Sequence, residues 1–183
     1  MTEMPPRQWT IEDAQVEDAE SLSRMHAQSW RDTYIGIQPG ITEEWVEERV
    51  AKTKESPEAI ERYRSHMEVA ANDPDHWLYK LAKGKDGEVV GFVLASKVED
   101  VQHVRSFYVD VNFQGSGLAQ DLAGCLTDWL DTDRDTILEV AANNPRAQSF
   151  YERLGFEVSG SKNDPGDGLV ELTMIKPGVK NEV

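Results

Sequence analysis

Tyr108-Val109-Asp110-Val111-Asn112-Phe113-Gln114-Gly115-Ser116-Gly117-Leu118-Ala119 joins three textures in one short stretch. An aromatic and β-branched run ends in a polar turn with two glycines. An apolar pattern then places Leu118, Leu122, Leu126, Trp129 and Leu130 on one helical face. A strand entering a helix through such a turn gathers backbone N–H groups and the positive end of the helix dipole at one point. That is an anion site needing no cationic side chain, and a phosphate is its natural ligand. Read alone, Gly115 and Gly117 also serve as plain helix-entry glycines. A P-loop would carry Lys and then Ser or Thr after the last glycine, where Leu118-Ala119 stands. A dinucleotide fingerprint would need a third small residue where Gln120 stands.

Upstream, Gln8 to Ile11 reads as a short strand. Asp18 to Tyr34 reads as a helix with Leu22, Met25, Trp30 and Tyr34 on one face. Ile41 to Val50 predicts a shorter helix. Ser56-Pro57 supplies an N-cap and a first-turn proline for another, with Ile60, Tyr63, Met67 and Ala70 aligned. After Pro74 the texture changes. His76 to Leu81 and Val89 to Ser96 flank a glycine-bearing hairpin turn, and Gln102 to Val111 follows as a strand. Downstream come a buried strand, Ile137 to Ala141, and a helix opened by Asn144-Pro145 and closed by Gly155. A turn at Asn163 to Gly168 separates two last strands, Phe156 to Val158 and Leu169 to Ile175. This order predicts a mixed α/β fold whose sheet is antiparallel early and gains a crossover later.

The 183 residues carry 34 acids against 19 Lys plus Arg, a net charge of -15 spread along the chain. One domain over 1–183 is expected at this length. The charge disfavours nucleic acid and anionic membranes and favours cationic partners. Five Trp, five Tyr and five Phe argue for an ordered core. The single cysteine, Cys125, excludes a disulfide framework and reads as packing. His26, His66 and His76 show no metal-ligand spacing, so no metal is expected. Met1 to Thr10 lacks the apolar run of a signal peptide, and no stretch approaches a transmembrane span. The cytoplasm is the expected compartment.

A second segment joins the first: Asn143-Asn144-Pro145-Arg146-Ala147-Gln148-Ser149-Phe150-Tyr151-Glu152-Arg153-Leu154-Gly155-Phe156. Together they resemble the GNAT superfamily of N-acetyltransferases. Gln114, Gly117 and Ala119 match its pyrophosphate motif. Asn144, Ala147, Phe150, Tyr151, Gly155 and Phe156 match its second signature. The resemblance implies a GNAT-like fold: a mostly antiparallel central sheet flanked by helices and splayed at the acetyl-CoA site. It implies acetyl-CoA as donor and direct transfer to a primary amine. Backbone amides of Gln114, Gly115, Ser116, Gly117, Leu118 and Ala119 would cradle the pyrophosphate. Main-chain groups of Phe107, Tyr108 and Val109 would hold the pantetheine arm, with the Val109 N–H on the thioester carbonyl. Asn144 would bond the same arm, and Tyr151 would be the general acid, protonated at neutral pH as an acid must be. Core packing is the bland reading of Tyr151 and N-capping that of Asn144. Phe150 is assigned to the core.

The position where the family carries its base holds His103, with a reference pKa suited to neutral pH. Strand alternation puts His103, Arg105, Phe107 and Val109 on one face. Glu139 and Glu99 are reserve bases acting through water. Ser116 stands where the family often has a cation, and Val111 to Gln120 carries none, leaving Arg146 as the nearest. Acceptor recognition falls to Trp30, Arg31, Tyr34, the Gly36 to Gly40 loop and the acidic run Glu43, Glu44, Glu47 and Glu48, with Glu139. An acidic and aromatic rim suits a small cationic amine such as a polyamine or an aminoglycoside. Protein N-terminal or lysine acetylation is the enzymatic alternative, and a non-catalytic acyl-CoA-binding module the other. The resemblance also admits a homodimer.

Overall fold

The computed structural model describes residues 8–98, 100–163 and 168–179. Strand β1 (Thr10–Asp13) precedes helices α1 (Ala19–Tyr34), α2 (Glu43–Val50) and α3 (Pro57–Asn72). Strands β2 (Trp77–Lys83), β3 (Val89–Val98) and β4 (Val101–Val109) follow, then α4 (Leu118–Trp129), β5 (Thr136–Ala141), α5 (Pro145–Arg153), β6 (Glu157–Asn163) and β7 (Glu171–Lys176). The order is the predicted one. Its edges differ where side chains compete with the backbone. β4 stops before Val111 because the Asp110 carboxylate accepts the Asn112 N–H at 2.8 Å and winds Val111–Phe113 into a tight turn. A π-helical turn, Ala51–Glu55, carries α2 to the foot of α3 and was not anticipated. The predicted caps are present: Ser56 Oγ accepts the Ala59 N–H, and Asn144 Oδ1 accepts the Ala147 N–H, both at 3.1 Å. Much of the predicted 163–168 turn, like Glu99, lies outside the described residues.

The seven strands form one sheet in the order β1-β2-β3-β4-β5-β7-β6. Every neighbouring pair is antiparallel except β4 and β5. Helices α4 and α5 cover one face, where Leu118, Leu122, Leu126 and Tyr151 pack on Val93, Ala95, Val104 and Leu138. Helices α1 and α3 cover the other, with Leu22, Met25, Tyr63 and Met67 on Leu81, Phe92 and Leu94. Each fully buried leucine of α4 stabilises the fold by about 1.5–3 kcal/mol. Gly91 lets α4 dock this closely, since a Cβ there would meet Leu122 at 3.1 Å and the Tyr108 carbonyl at 3.2 Å.

Two irregularities in β4 build the site. Its parallel pairing with β5 covers only Gln102 with Thr136, His103 with Ile137, and Val104 with Leu138. Beyond that the strands splay. The second is a bulge: Leu94 opposes Ser106 but Ala95 opposes Val104, so Arg105 is the extra residue. Opposed residues share a face. His103, opposite Ser96, therefore lies on the face of Ser106 and Tyr108 and not on that of Phe107 and Val109. The alternation read from the sequence fails here because a bulge resets it.

Candidate active site

A groove of about 1040 Å³ follows the splay between β4 and β5. One wall comes from the turn after β4 and from α5: Gln114, Gly115, Ala119, Gln120, Asn144, Arg146, Ala147, Phe150, Tyr151 and Arg153. The other comes from α1, the loop after it and β7, through Asp32, Thr33, Tyr34, Ile37 and Glu171. Phe107, Tyr108, Val109 and Glu139 form the floor.

The glycine turn leaves donors uncommitted. Gly115 and Gly117 hold φ values of 80° and 101°, and neither has an atom within 4 Å of where a Cβ would stand, so the backbone is open to an approaching ligand. Ser116 Oγ donates to the Phe113 carbonyl at 2.6 Å and accepts the Leu118 N–H at 3.3 Å. Leu118 is thus spent on a local cap, and its side chain is fully buried. The N–H groups of Gly115, Gly117, Ala119 and Gln120 find no acceptor among the described residues. The Arg146 guanidinium donates to Gln114 Oε1, which brings a cation from α5 to the turn that has none of its own.

Along β4, the Asp110 N–H bonds the Val90 carbonyl at 2.9 Å. Antiparallel alternation then turns the N–H and C=O of Val109 and Phe107 away from β3, toward the splay, and commits those of Tyr108 to β3. Two of the three predicted main-chain positions therefore face the groove. The Tyr108 side chain goes to the α1 face, stacked on Phe92 with centroids 5.5 Å apart and with its hydroxyl 3.2 Å from that of Tyr34.

Tyr151 is held in a cage of Phe107, Phe150 and Phe156, with centroids 5.4 to 6.4 Å away. Burial, and secondarily Tyr108, push its phenol well above the ordinary range. Its hydroxyl makes no hydrogen bond among the described residues. Phe150, assigned to the core from the sequence, is only partly buried and lines the groove.

His103 stands just behind the floor. Its Nε2 lies 2.7 Å from Glu139 Oε2, and it is Glu139 that reaches the groove. That contact, outweighing the cost of burial, lowers the Glu139 pKa. On the α1 wall, burial raises the Tyr34 phenol to about 12, and burial followed by Tyr34 raises that of Tyr108 well above its ordinary value. Trp30 does not line the groove. It packs in the core beside Tyr34 with ring centroids 4.6 Å apart. Its buried Nε1–H has no hydrogen-bond acceptor among the described residues, although it lies close enough to the Tyr108 hydroxyl to favour the phenolate electrostatically. The acidic run of α2 is structural in part: Glu47 and Glu55 clamp Arg31 through four bonds of 2.8 to 3.2 Å. Asp32, Glu171 and Arg153 escaped the sequence reading because no motif assigns them a role, and Phe150, though in a motif, was assigned to the core. Glu171 is brought to the groove by the pairing of β7 with β5, where it opposes Ala141.

Residues 38–156 match the Acetyltransferase (GNAT) family. The chain belongs to this family. Among solved structures, the PaiA N-acetyltransferase of Thermoplasma acidophilum in complex with coenzyme A superposes with a TM-score of 0.74 at 20% identity, over 93% of this chain and 99% of that one. The ribosomal-protein-S5-alanine acetyltransferase of Vibrio fischeri gives 0.69 at 14% identity, over 96% of each chain. The phosphinothricin acetyltransferase of Sinorhizobium meliloti in complex with AcCoA gives 0.63 at 17%, over 96% and 93%. Identities this low establish a shared fold. No curated protein matches the sequence. As a GNAT enzyme the chain is an acetyl-CoA-dependent N-acetyltransferase. Its glycine turn fits a pyrophosphate: four uncommitted amides, a helix N-terminus and the Arg146 cation converge there. Among the described residues no group of His, Cys, Asp or Glu is placed to hold a metal ion, and no helix is long and apolar enough to cross a membrane.

Proposed function

We propose that this GNAT enzyme acetylates a primary amine of a small cationic acceptor, of the polyamine or aminoglycoside kind. The observation that carries the reading is the composition of the wall facing the glycine turn. Asp32, Glu171 and Tyr34 stand there beside Glu139 and Tyr108 of the floor, so carboxylates and aromatic rings bound that side of the groove. An ammonium group is stabilised at such a wall, and an anionic acceptor is repelled.

Acetyl-CoA supplies an activated thioester. The Gly115, Gly117, Ala119 and Gln120 amides hold its pyrophosphate, and the Val109 N–H polarises the carbonyl. Asn144, besides capping α5, orients the pantetheine arm. Glu139 draws in the ammonium, and its proton passes, directly or through water, to the His103–Glu139 pair. His103 is the base within that pair and Glu139 the group that stabilises its charged form. Tyr151 gives its proton to the departing sulfur. Burial keeps that proton in place until negative charge develops on the departing sulfur.

Incubating the protein with acetyl-CoA and a panel of diamines, aminoglycosides and peptides, while following free thiol and product mass, tests the reading. Turnover with cationic small amines is expected. Turnover confined to peptides would select protein acetylation, and cofactor binding without thiol release would select a non-catalytic module.

A further inference from the structure

Tyr34, the last residue of α1, and Tyr108 of β4 bring two phenol groups to one place on the groove. Their oxygens are 3.2 Å apart, joined by a single hydrogen bond. Two hydroxyls hold two protons, and the bond between them uses only one. The other finds no acceptor among the described residues, because neither phenol makes a second hydrogen bond there. Trp30 decides which phenol keeps it. The indole N–H is buried, lacks an acceptor of good geometry, and lies close to the Tyr108 oxygen. An indole nitrogen can only donate. Tyr108 therefore turns a lone pair toward Trp30 and its proton toward Tyr34, whose own proton is left for the groove. The neighbouring carboxylates do not take it. Glu139 opposes Thr173 and Ala141 opposes Glu171, so Glu139 and Glu171 are diagonal neighbours on one face of the sheet, about 7–8 Å apart. That face is the one α1 covers, since Ala141 packs with Trp30 and Tyr34. Glu139 is held by His103, and Glu171 is near enough to raise both phenols without bonding either.

We propose that Tyr34 is a specificity residue whose hydroxyl donates to an oxygen of the acceptor, so that the enzyme selects amino alcohols, the aminoglycoside kind of cationic amine, over plain polyamines. This rests on the cationic-amine reading above and narrows it. An ammonium group carries donors only. It can give a proton to a carboxylate or to the Tyr34 oxygen, but it cannot accept the Tyr34 proton. A hydroxyl on the ligand accepts that proton and has one of its own to give to Glu171 or Asp32, which line the same wall. A methylene in the same place strands the phenol donor away from water, the costly arrangement for a buried polar group. The donor is present at neutral pH, because burial raises the Tyr34 phenol to about 12.

Titration calorimetry on the intact protein saturated with coenzyme A reads acceptor binding without turnover. Diaminopropane and diaminopropanol differ by one hydroxyl. The parent chain is expected to bind diaminopropanol about tenfold more tightly. Tyr34→Phe keeps the ring and removes the donor, so the ratio of the two affinities should fall about tenfold. Comparing that ratio between parent and variant cancels the different basicities of the two amines and any general weakening by the substitution. Equal binding of the two amines by the parent chain would overturn the assignment, and so would a preference that Tyr34→Phe leaves unchanged. In either case the cationic-amine reading stands. Failure of both amines to bind would sink the assignment together with that reading.

Discussion

Tyr151 and His103 meet their surroundings in opposite ways. Tyr151 is enclosed by three aromatic rings and kept protonated by burial, whereas His103 is half-exposed and bound to a carboxylate. An acid that loses its hydroxyl but keeps its ring should lose catalysis and little else. Tyr151→Phe is expected to lower kcat about 10²- to 10³-fold while leaving KM for acetyl-CoA near its starting value, as read by steady-state thiol release. Unchanged turnover would remove Tyr151 from the mechanism. His103→Ala and Glu139→Gln should each lower kcat/KM for the amine, as read by the same thiol release, and unchanged turnover in both would remove the pair from the mechanism. Both residues were nameable from the sequence, since one sits in a motif and the other at a fixed distance from it. Their partnership was not, because Glu139 comes from β5 and meets His103 only across the single parallel junction of the sheet.

Among elements, the β4–turn–α4 unit supplies the uncommitted amides proposed to hold the donor. Gly117 opens α4 at φ 101°, a conformation that costs any other residue about 1–2 kcal/mol. Open space surrounds the position, so the cost is conformational and not a clash. Gly117→Ala should raise KM for acetyl-CoA several-fold by displacing the amides, with kcat at saturation little altered; titration calorimetry with coenzyme A checks it. The glycines and caps of this unit were legible because turn chemistry is local. The bulge at Arg105 was not. Nothing in Val101–Val109 announces it, and it appears only when β3 sets the register. A one-residue slip moves every side chain to the other face, which is why His103 left the face of Phe107.

For the whole molecule, charge and burial give two measurable trends. The net charge of -15 attracts a cationic amine and repels a polyphosphate cofactor at long range. Raising ionic strength through the physiological range should therefore raise KM for the acceptor and lower it for acetyl-CoA. The buried His26, bonded through Nδ1 to the Tyr63 hydroxyl at 3.0 Å, is held neutral by burial first and by Lys54 and Arg62 next, well below 6.5. The unfolded chain binds that proton more readily than the folded one. Stability from this group is complete above pH 6.5 and falls as pH drops below it, by at most about 1.4 kcal/mol per unit, until the folded ring protonates. Urea melts between pH 7 and 5 should show a shallower loss for His26→Gln than for the parent chain.

The amino-acid sequence by itself determined the element order, the helix caps and the glycine turn, because each depends on residues close together in the chain. Tertiary structure decided which side each β4 residue faces, which amides remain free, and which carboxylates reach the groove. It also withdrew Trp30 from that groove and turned part of the α2 acid run to holding Arg31. These outcomes depend on strand register and on pairs far apart in sequence, among them His103 with Glu139 and Tyr34 with Tyr108. Periodicity along one segment carries no record of its partner.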